Sequence, residues 1–186
     1  SFNPNKAAAL TIESGSLTLD TKTLLAQLKE LGATGKSDEI IKIPGTRTKL
    51  IVFTGLGQSQ KEYAHETLRR AAGAAARALA GSNEATFALP SANIEAVSAI
   101  AEGAALGAYV FDEFRGSTKS ERKLPLAKIA IYSKFTKKIE AKNALKRAQI
   151  IAKYTHLVRD LINTPPSHLT PETFTKKIAA VVKSAG

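Results

Sequence analysis

Lys49-Leu50-Ile51-Val52-Phe53-Thr54-Gly55-Leu56-Gly57 decides the fold. A continuous apolar run closed by two glycines reads as a central strand buried on both faces. From Lys61 to Leu79 the residues Leu68, Ala71, Ala72, Ala75, Ala76 and Leu79 recur at helical spacing. Their small side chains would let a helix lie close against a sheet, and Gly81 would stop it. The unit is strand, glycine turn, helix.

Upstream, Glu39-Ile40-Ile41-Lys42-Ile43 before Pro44-Gly45 reads as a second strand. Leu24, Leu25, Leu28 and Leu31 share one face of a surface helix, capped by Asp20 or Thr21 and ended by Gly32. Residues 8–19 alternate Leu10, Ile12, Leu17 and Leu19 around Gly15, as two short strands meeting at a turn do. Downstream, Ala85-Thr86-Phe87-Ala88-Leu89 is a strand closed by Pro90. A helix follows, capped by Ser91 or Asn93 and carrying Val97, Ile100, Ala101, Ala104, Ala105 and Ala108. Leu126 to Tyr132 gives one more strand. A long helix over 138–161 has Leu145, Ala148, Ile151, Ala152, Thr155, Val158 and Ile162 on its expected inner stripe. Strands alternating with helices predict an α/β fold, a three-layer sandwich around a central mixed, mostly parallel sheet.

Thr164-Pro165-Pro166 ends the long helix, and Thr170-Pro171 opens another with Thr at its cap and Pro at its first position. That last helix has an apolar face of Phe174, Ile178, Val181 and Val182 with no later strand to cover it. The natural polypeptide is therefore expected to continue.

The 186 residues, 44% hydrophobic and 23% charged, suit one globular domain. Acidic or basic residues interrupt every alanine-rich run before it reaches the roughly 18 uncharged residues of a membrane span. No membrane partner is expected. The start Ser1-Phe2-Asn3-Pro4-Asn5-Lys6 has no signal-peptide design, so the expected compartment is the cytoplasm. Zero cysteines exclude disulfides, thiolate nucleophiles and cysteine zinc sites. The formal charge of +11 concentrates between Asp112 and Lys153, where twelve Lys and Arg face four Asp and Glu. Such a run is a solvated surface offset by an acidic one elsewhere in a larger protein, or else a contact for DNA. Aromatic residues are not interleaved with it as single-strand stacking requires.

His65, His156 and His168 lie far apart without metal-ligand spacing. Gly55-Leu56-Gly57 could open a phosphate-binding loop, but the fingerprint's third glycine position holds Gln60 and no Gly-Lys-Ser/Thr follows. A tight turn is the expectation. Asp112 and Glu113 are expected to pair with Arg115 or Lys119, and no serine sits in a Gly-x-Ser-x-Gly elbow. No residue is assigned to catalysis, to a cofactor or to a metal.

Four segments, in order, resemble the leucyl aminopeptidase family. They are Val52-Phe53-Thr54-Gly55-Leu56-Gly57, Leu68-Arg69-Arg70-Ala71-Ala72-Gly73, Glu102-Gly103 through Leu106, Tyr109 and Phe111, and Arg159-Asp160-Leu161-Ile162-Asn163-Thr164-Pro165 with Leu169-Thr170-Pro171. The resemblance implies a non-catalytic N-terminal domain over residues 1–163, an α/β sandwich similar to macro domains. Residues 164–186 would be the interdomain linker and the start of the catalytic domain. It further implies a hydrolase that removes N-terminal residues from peptides with two divalent metals, Mn or Zn, held in that later domain, and a homo-hexamer as the full-length protein. The family's metal-ligand segment does not occur here. The implied roles are structural: Arg159, Asp160 and Asn163 tie the long helix to its neighbours, and Pro165-Pro166 set the exit of the chain. The alternative reading is a binding module that uses a macro-like fold for ADP-ribose or the basic 112–153 region for nucleic acid.

Overall fold

The structure, a computed structural model, describes residues 20–46, 48–116 and 121–185. The strands expected at 8–19 lie outside the described residues. The elements run α1 (Thr21–Glu30), β1 (Ile40–Ile43), β2 (Ile51–Thr54), α2 (His65–Ala78), β3 (Glu84–Phe87), α3 (Ile94–Gly107), β4 (Lys128–Ile131), α4 (Ile139–Asn163) and α5 (Pro171–Ala185). This is the α/β alternation read from the sequence.

Local chemistry sets the boundaries. The Asp20 carboxylate accepts from the Thr23 amide at 3.3 Å and starts α1, and the Asn93 side chain accepts from Ala96 at 2.8 Å and starts α3. At α5 the Thr170 hydroxyl accepts from the Thr173 amide at 3.3 Å, with Pro171 at the first helical position. Helix α2 begins at His65, four residues later than its sequence suggests, with no side-chain cap.

Among the described residues the strands form two ladders. β1 and β2 pair antiparallel with Ile41 opposite Phe53, and β3 and β4 pair parallel with Ala85 opposite Ile129. The strand expected to be buried on both faces is therefore corrected: all four residues of β2 are only partly buried, and β1 is its sole described partner. A strand paired along one edge keeps its other edge accessible, whatever its composition.

The core lies where α2 and α3 meet the strands. Leu68, Ala72, Ala75, Ala76, Ile100 and Ala104 pack with Phe87 and Leu126, joined by Val52, Ile129 and Ile131. Leu68 and Ile100 are 1% and 0% exposed, so truncating either to alanine should cost about 2–5 kcal/mol. Helix α3 lies between α2 and α4 and packs on both. The α2–α3 contact is close because it is made of glycine. A Cβ on Gly103 would sit 2.0 Å from the Arg69 carbonyl oxygen, and one on Gly107 would sit 2.3 Å from that of Gly73.

Helix α4 departs from expectation in one respect. Ala141, Ala148 and Ala152 are buried, but Val158 and Ile162, placed on the inner stripe by their spacing, are 52% and 76% exposed. The helix turns alanines toward its own domain. Ile150, Val158 and Ile162 face outward, while Leu145, Ile151, Leu157 and Leu161 are partly buried.

Candidate functional site: the α3–α4 junction

Tyr109, just beyond the end of α3, is the centre of the densest polar cluster joining α4 to the domain. Its hydroxyl donates to Asp160 Oδ1 at 2.8 Å and accepts from Asn163 Nδ2 at 3.1 Å. The Arg159 guanidinium lies over the Tyr109 ring at 3.7 Å from its centroid, within the range of a cation–π contact, and its Nη1 reaches the Leu106 carbonyl at 3.4 Å. On α4 the His156 ring tilts against the same ring at 5.1 Å. One aromatic ring thus gathers four consecutive-turn residues of α4.

Electrostatics agree with this geometry. Burial raises the Tyr109 phenol above its usual value, helped by the adjacent Asp160 carboxylate. Burial also lowers His156, and the Arg159 charge lowers it further, which favours the neutral imidazole. Its Nε2 is buried without a hydrogen-bond partner.

The junction leads directly to the chain's exit. The Thr164 amide and hydroxyl both bond to the Asp160 carbonyl, at 2.9 and 2.6 Å, closing α4. The amides of His168 and Leu169 then bond to the Pro165 carbonyl at 2.9 and 3.0 Å, forming a tight turn into α5. The His168 ring packs on Phe114 at 4.7 Å, fastening that turn to the segment after α3. Arg159, Asp160 and Asn163 therefore tie α4 to its neighbours as expected. Sequence reading did not single out Tyr109 as the group they meet; it is 51 residues from Asp160, and its signal was an aromatic hydroxyl following a helix of small residues.

Other candidates resolve into structure. The amides of Gly55 and Gly57 are used by the carbonyls of Glu39 and Gly35, at 2.8 and 2.9 Å, and so cannot cradle a phosphate. Burial would raise the Glu39 carboxyl, but the Thr34 and Gly35 amides hold it below its usual value by hydrogen bonding. A shallow pocket of about 340 Å³ beside Gly73 and Gly107 is rimmed by Arg69, Arg70, Arg77 and Arg159. Three of these are already engaged: Arg69 with Glu66 and with Glu102 at 3.0 Å, Arg70 with Asp38, and Arg159 with Tyr109. A wider cleft of about 1980 Å³ between the two ladders, lined by residues such as Phe53, Ala85 and Ile129, exceeds the roughly 300–1,000 Å³ of small-molecule pockets.

The histidines are dispersed as expected, and among the described residues no three metal-capable side chains converge. Of the acids, Glu66, Glu102 and Asp38 serve arginines and Asp160 serves Tyr109. These residues do not fit a dinuclear metal centre. Arg115 returns its amide to the Asp112 carbonyl at 3.2 Å, while Lys119, the other expected partner of Asp112 and Glu113, lies outside the described residues. Lysines of the basic segment are used locally, Lys134 and Lys138 both lying over the Phe135 ring. No described helix is long and apolar enough to cross a membrane.

Known proteins resemble this chain in sequence and in fold. A probable cytosol aminopeptidase of Streptomyces griseus is 42% identical over 180 residues, which cover 88% of this chain and 34% of that protein. Among solved structures, the bottromycin maturation enzyme BotP in complex with Mn matches with a TM-score of 0.72 at 25% identity, over 92% of this chain and 35% of that one. A tomato leucine aminopeptidase variant shares the fold, with a TM-score of 0.66 at 23% identity over 95% of this chain and 37% of that one. The chain thus spans about a third of the length of the curated relatives it matches. The sequence profile of the cytosol aminopeptidase family's N-terminal domain matches residues 6–118, more than half of the chain. The chain belongs to the cytosol aminopeptidase family, and its matched part is that family's N-terminal domain.

Proposed function

We propose that this chain is the non-catalytic N-terminal domain of a metal-dependent leucyl aminopeptidase, and that residues 164–186 are the linker and first helix of the catalytic domain. In this reading two divalent metals, Mn or Zn, and the peptide-hydrolysing residues belong to that later domain. Paired metals there would lower the pKa of a bridging water and polarise the scissile carbonyl. The full-length protein would be a cytoplasmic homo-hexamer. The contribution of this chain is positional, holding the exit of α4 in one direction.

The single observation that carries the reading is the contrast on either side of Thr164. Up to Asn163 the chain is tied to α3 through Tyr109. Beyond it, α5 makes only sparse contacts with the other elements and leaves Phe174 and Val182 44% and 65% exposed. A helix so fastened, followed by one so uncovered, is what a domain boundary looks like from one side.

The test is leucine-anilide hydrolysis in Mn²⁺ or Zn²⁺, with bound metal quantified on the same sample, for the 186-residue chain and for the full-length polypeptide. Turnover and stoichiometric metal are expected only in the latter. Turnover with bound metal in the 186-residue chain overturns the proposal.

A further inference from the structure

The outward face of α4 is more apolar than a solvated helix requires. Ile150 is 57% exposed, and the partly buried Tyr154, Leu157 and Leu161 follow it at spacings of four, three and four residues, which place them along the same side of the helix. Val158 and Ile162 widen that face toward the exit of the chain. Ala148 and Ala152 are each two residues from Ile150, about 200° around the helix, and they are the buried ones. Helix α4 therefore buries Ala141, Ala148 and Ala152 and presents Ile150, Val158 and Ile162 to the exterior.

We infer that this face is the seat of the catalytic domain. The inference rests on the reading above and adds the surface and its chemistry. Two observations choose the occupant. The first is continuity: the apolar face broadens toward Thr164, and the chain turns at Pro165 directly into α5, whose own apolar residues are uncovered. Whatever covers α5 begins beside Leu161. The second is charge. Lys142, Lys146 and Lys153 line one flank of the face, at about 40–80° from Ile150, and Arg147 lies on the other. Pairing α4 with a second copy of itself would set lysines against lysines or against Arg147, with Glu140 the only acid in the first four turns to offset them. The occupant is therefore a different surface, apolar along its centre and carboxylate-bearing at its edge. This also gives the excess charge of segment 112–153 a partner within the same protein.

The test has two arms. Zero-length carbodiimide crosslinking of the full-length polypeptide, read by mass spectrometry, should couple Lys142, Lys146 or Lys153 to Asp or Glu beyond residue 186. Ile150→Asp should abolish those crosslinks and lower the melting temperature of the full-length protein. In the 186-residue chain the same substitution should shift melting by less than about 2 °C, because the side chain already faces solvent. Lysines coupling only to acids within this chain or its copies, or a 186-residue Ile150→Asp variant as destabilised as the full-length one, overturn the inference. Peptidase activity is read separately: its absence in the full-length protein refutes the functional proposal, whereas the crosslinks report the surface directly.

Discussion

Replacing Tyr109 by phenylalanine removes one oxygen and keeps the ring, isolating the polar half of the junction. The lost oxygen donates to the Asp160 carboxylate at 2.8 Å and accepts from the Asn163 amide at 3.1 Å. A hydrogen bond to a charged group contributes about 1.5–3 kcal/mol, and a neutral one about 0.5–1.5. Both partners retain some access to water, which can replace part of what is lost, so the expected destabilisation is about 1.5–2 kcal/mol. For a chain of this size that corresponds to a melting shift of roughly 3–8 °C, measurable by circular dichroism. Arg159 and His156 should keep their ring contacts, so Tyr109→Ala should cost clearly more. The cycle is closed with Asp160→Asn and the double variant, where a coupling near 1 kcal/mol is expected for groups in direct contact. Hydrogen exchange should also rise at residues 160–166 in Tyr109→Phe. A loss under about 0.5 kcal/mol, or strictly additive single variants, would refute the claim that this hydroxyl ties α4 to the domain.

Gly103→Ala puts a methyl 2.0 Å from the Arg69 carbonyl oxygen, so α2 and α3 must separate; a loss of about 3 kcal/mol, the upper end for overpacking, is expected in urea unfolding. Gly116→Ala, with nothing within 4 Å, is the control, and equal midpoints for the two variants would sink the argument. His156 gives a pH signature: its folded pKa is depressed by burial and by Arg159, so the unfolded chain takes up the proton first, near pH 6.5. Its contribution should be present above that value and lost as pH falls through it toward the folded pKa. Urea midpoints at pH 7.5 and 5.5 should differ more in the native chain than in His156→Gln, and identical differences would assign the slope to other groups.

The sequence predicts helices and strands well here because their signals are local. Asp20 and Asn93 were each one of two cap candidates readable from their position before an apolar period, and Thr170-Pro171 was readable from its order alone. Glycine turns were equally legible: Gly55 must lie against Lys36, whose carbonyl would be 1.8 Å from an added Cβ, and that exclusion belongs to the residue type. What could not be read is where the inner stripe of α4 stops being covered. Along α4 the expected stripe holds at Ala148 and Ala152, which are buried, and at Leu145 and Ile151, which are partly buried, and fails at Val158 and Ile162, which are exposed. The same ambiguity misplaced β2: an apolar run records that a strand can be covered, whereas its ladder decides whether it is.

The exposure of Ile150, Val158 and Ile162 on α4 carries the functional argument further than any single contact. Were the helix merely the last element of a self-contained domain, its larger side chains would face α3, since each buried aliphatic side chain gains roughly 1.5–3 kcal/mol over an exposed one. The arrangement forgoes that gain at Ile150, Val158 and Ile162 and fastens the helix by polar contacts at Tyr109 instead. Polar ties fix a direction through the angles of their hydrogen bonds, which an alanine seam alone does not. A helix held by direction on one side and left apolar on the other is suited to transmit the orientation of its domain to whatever it supports. The Tyr109 cluster stands at the end of α4 where such a load would enter, five residues from the Pro165 turn for Asp160 and two for Asn163.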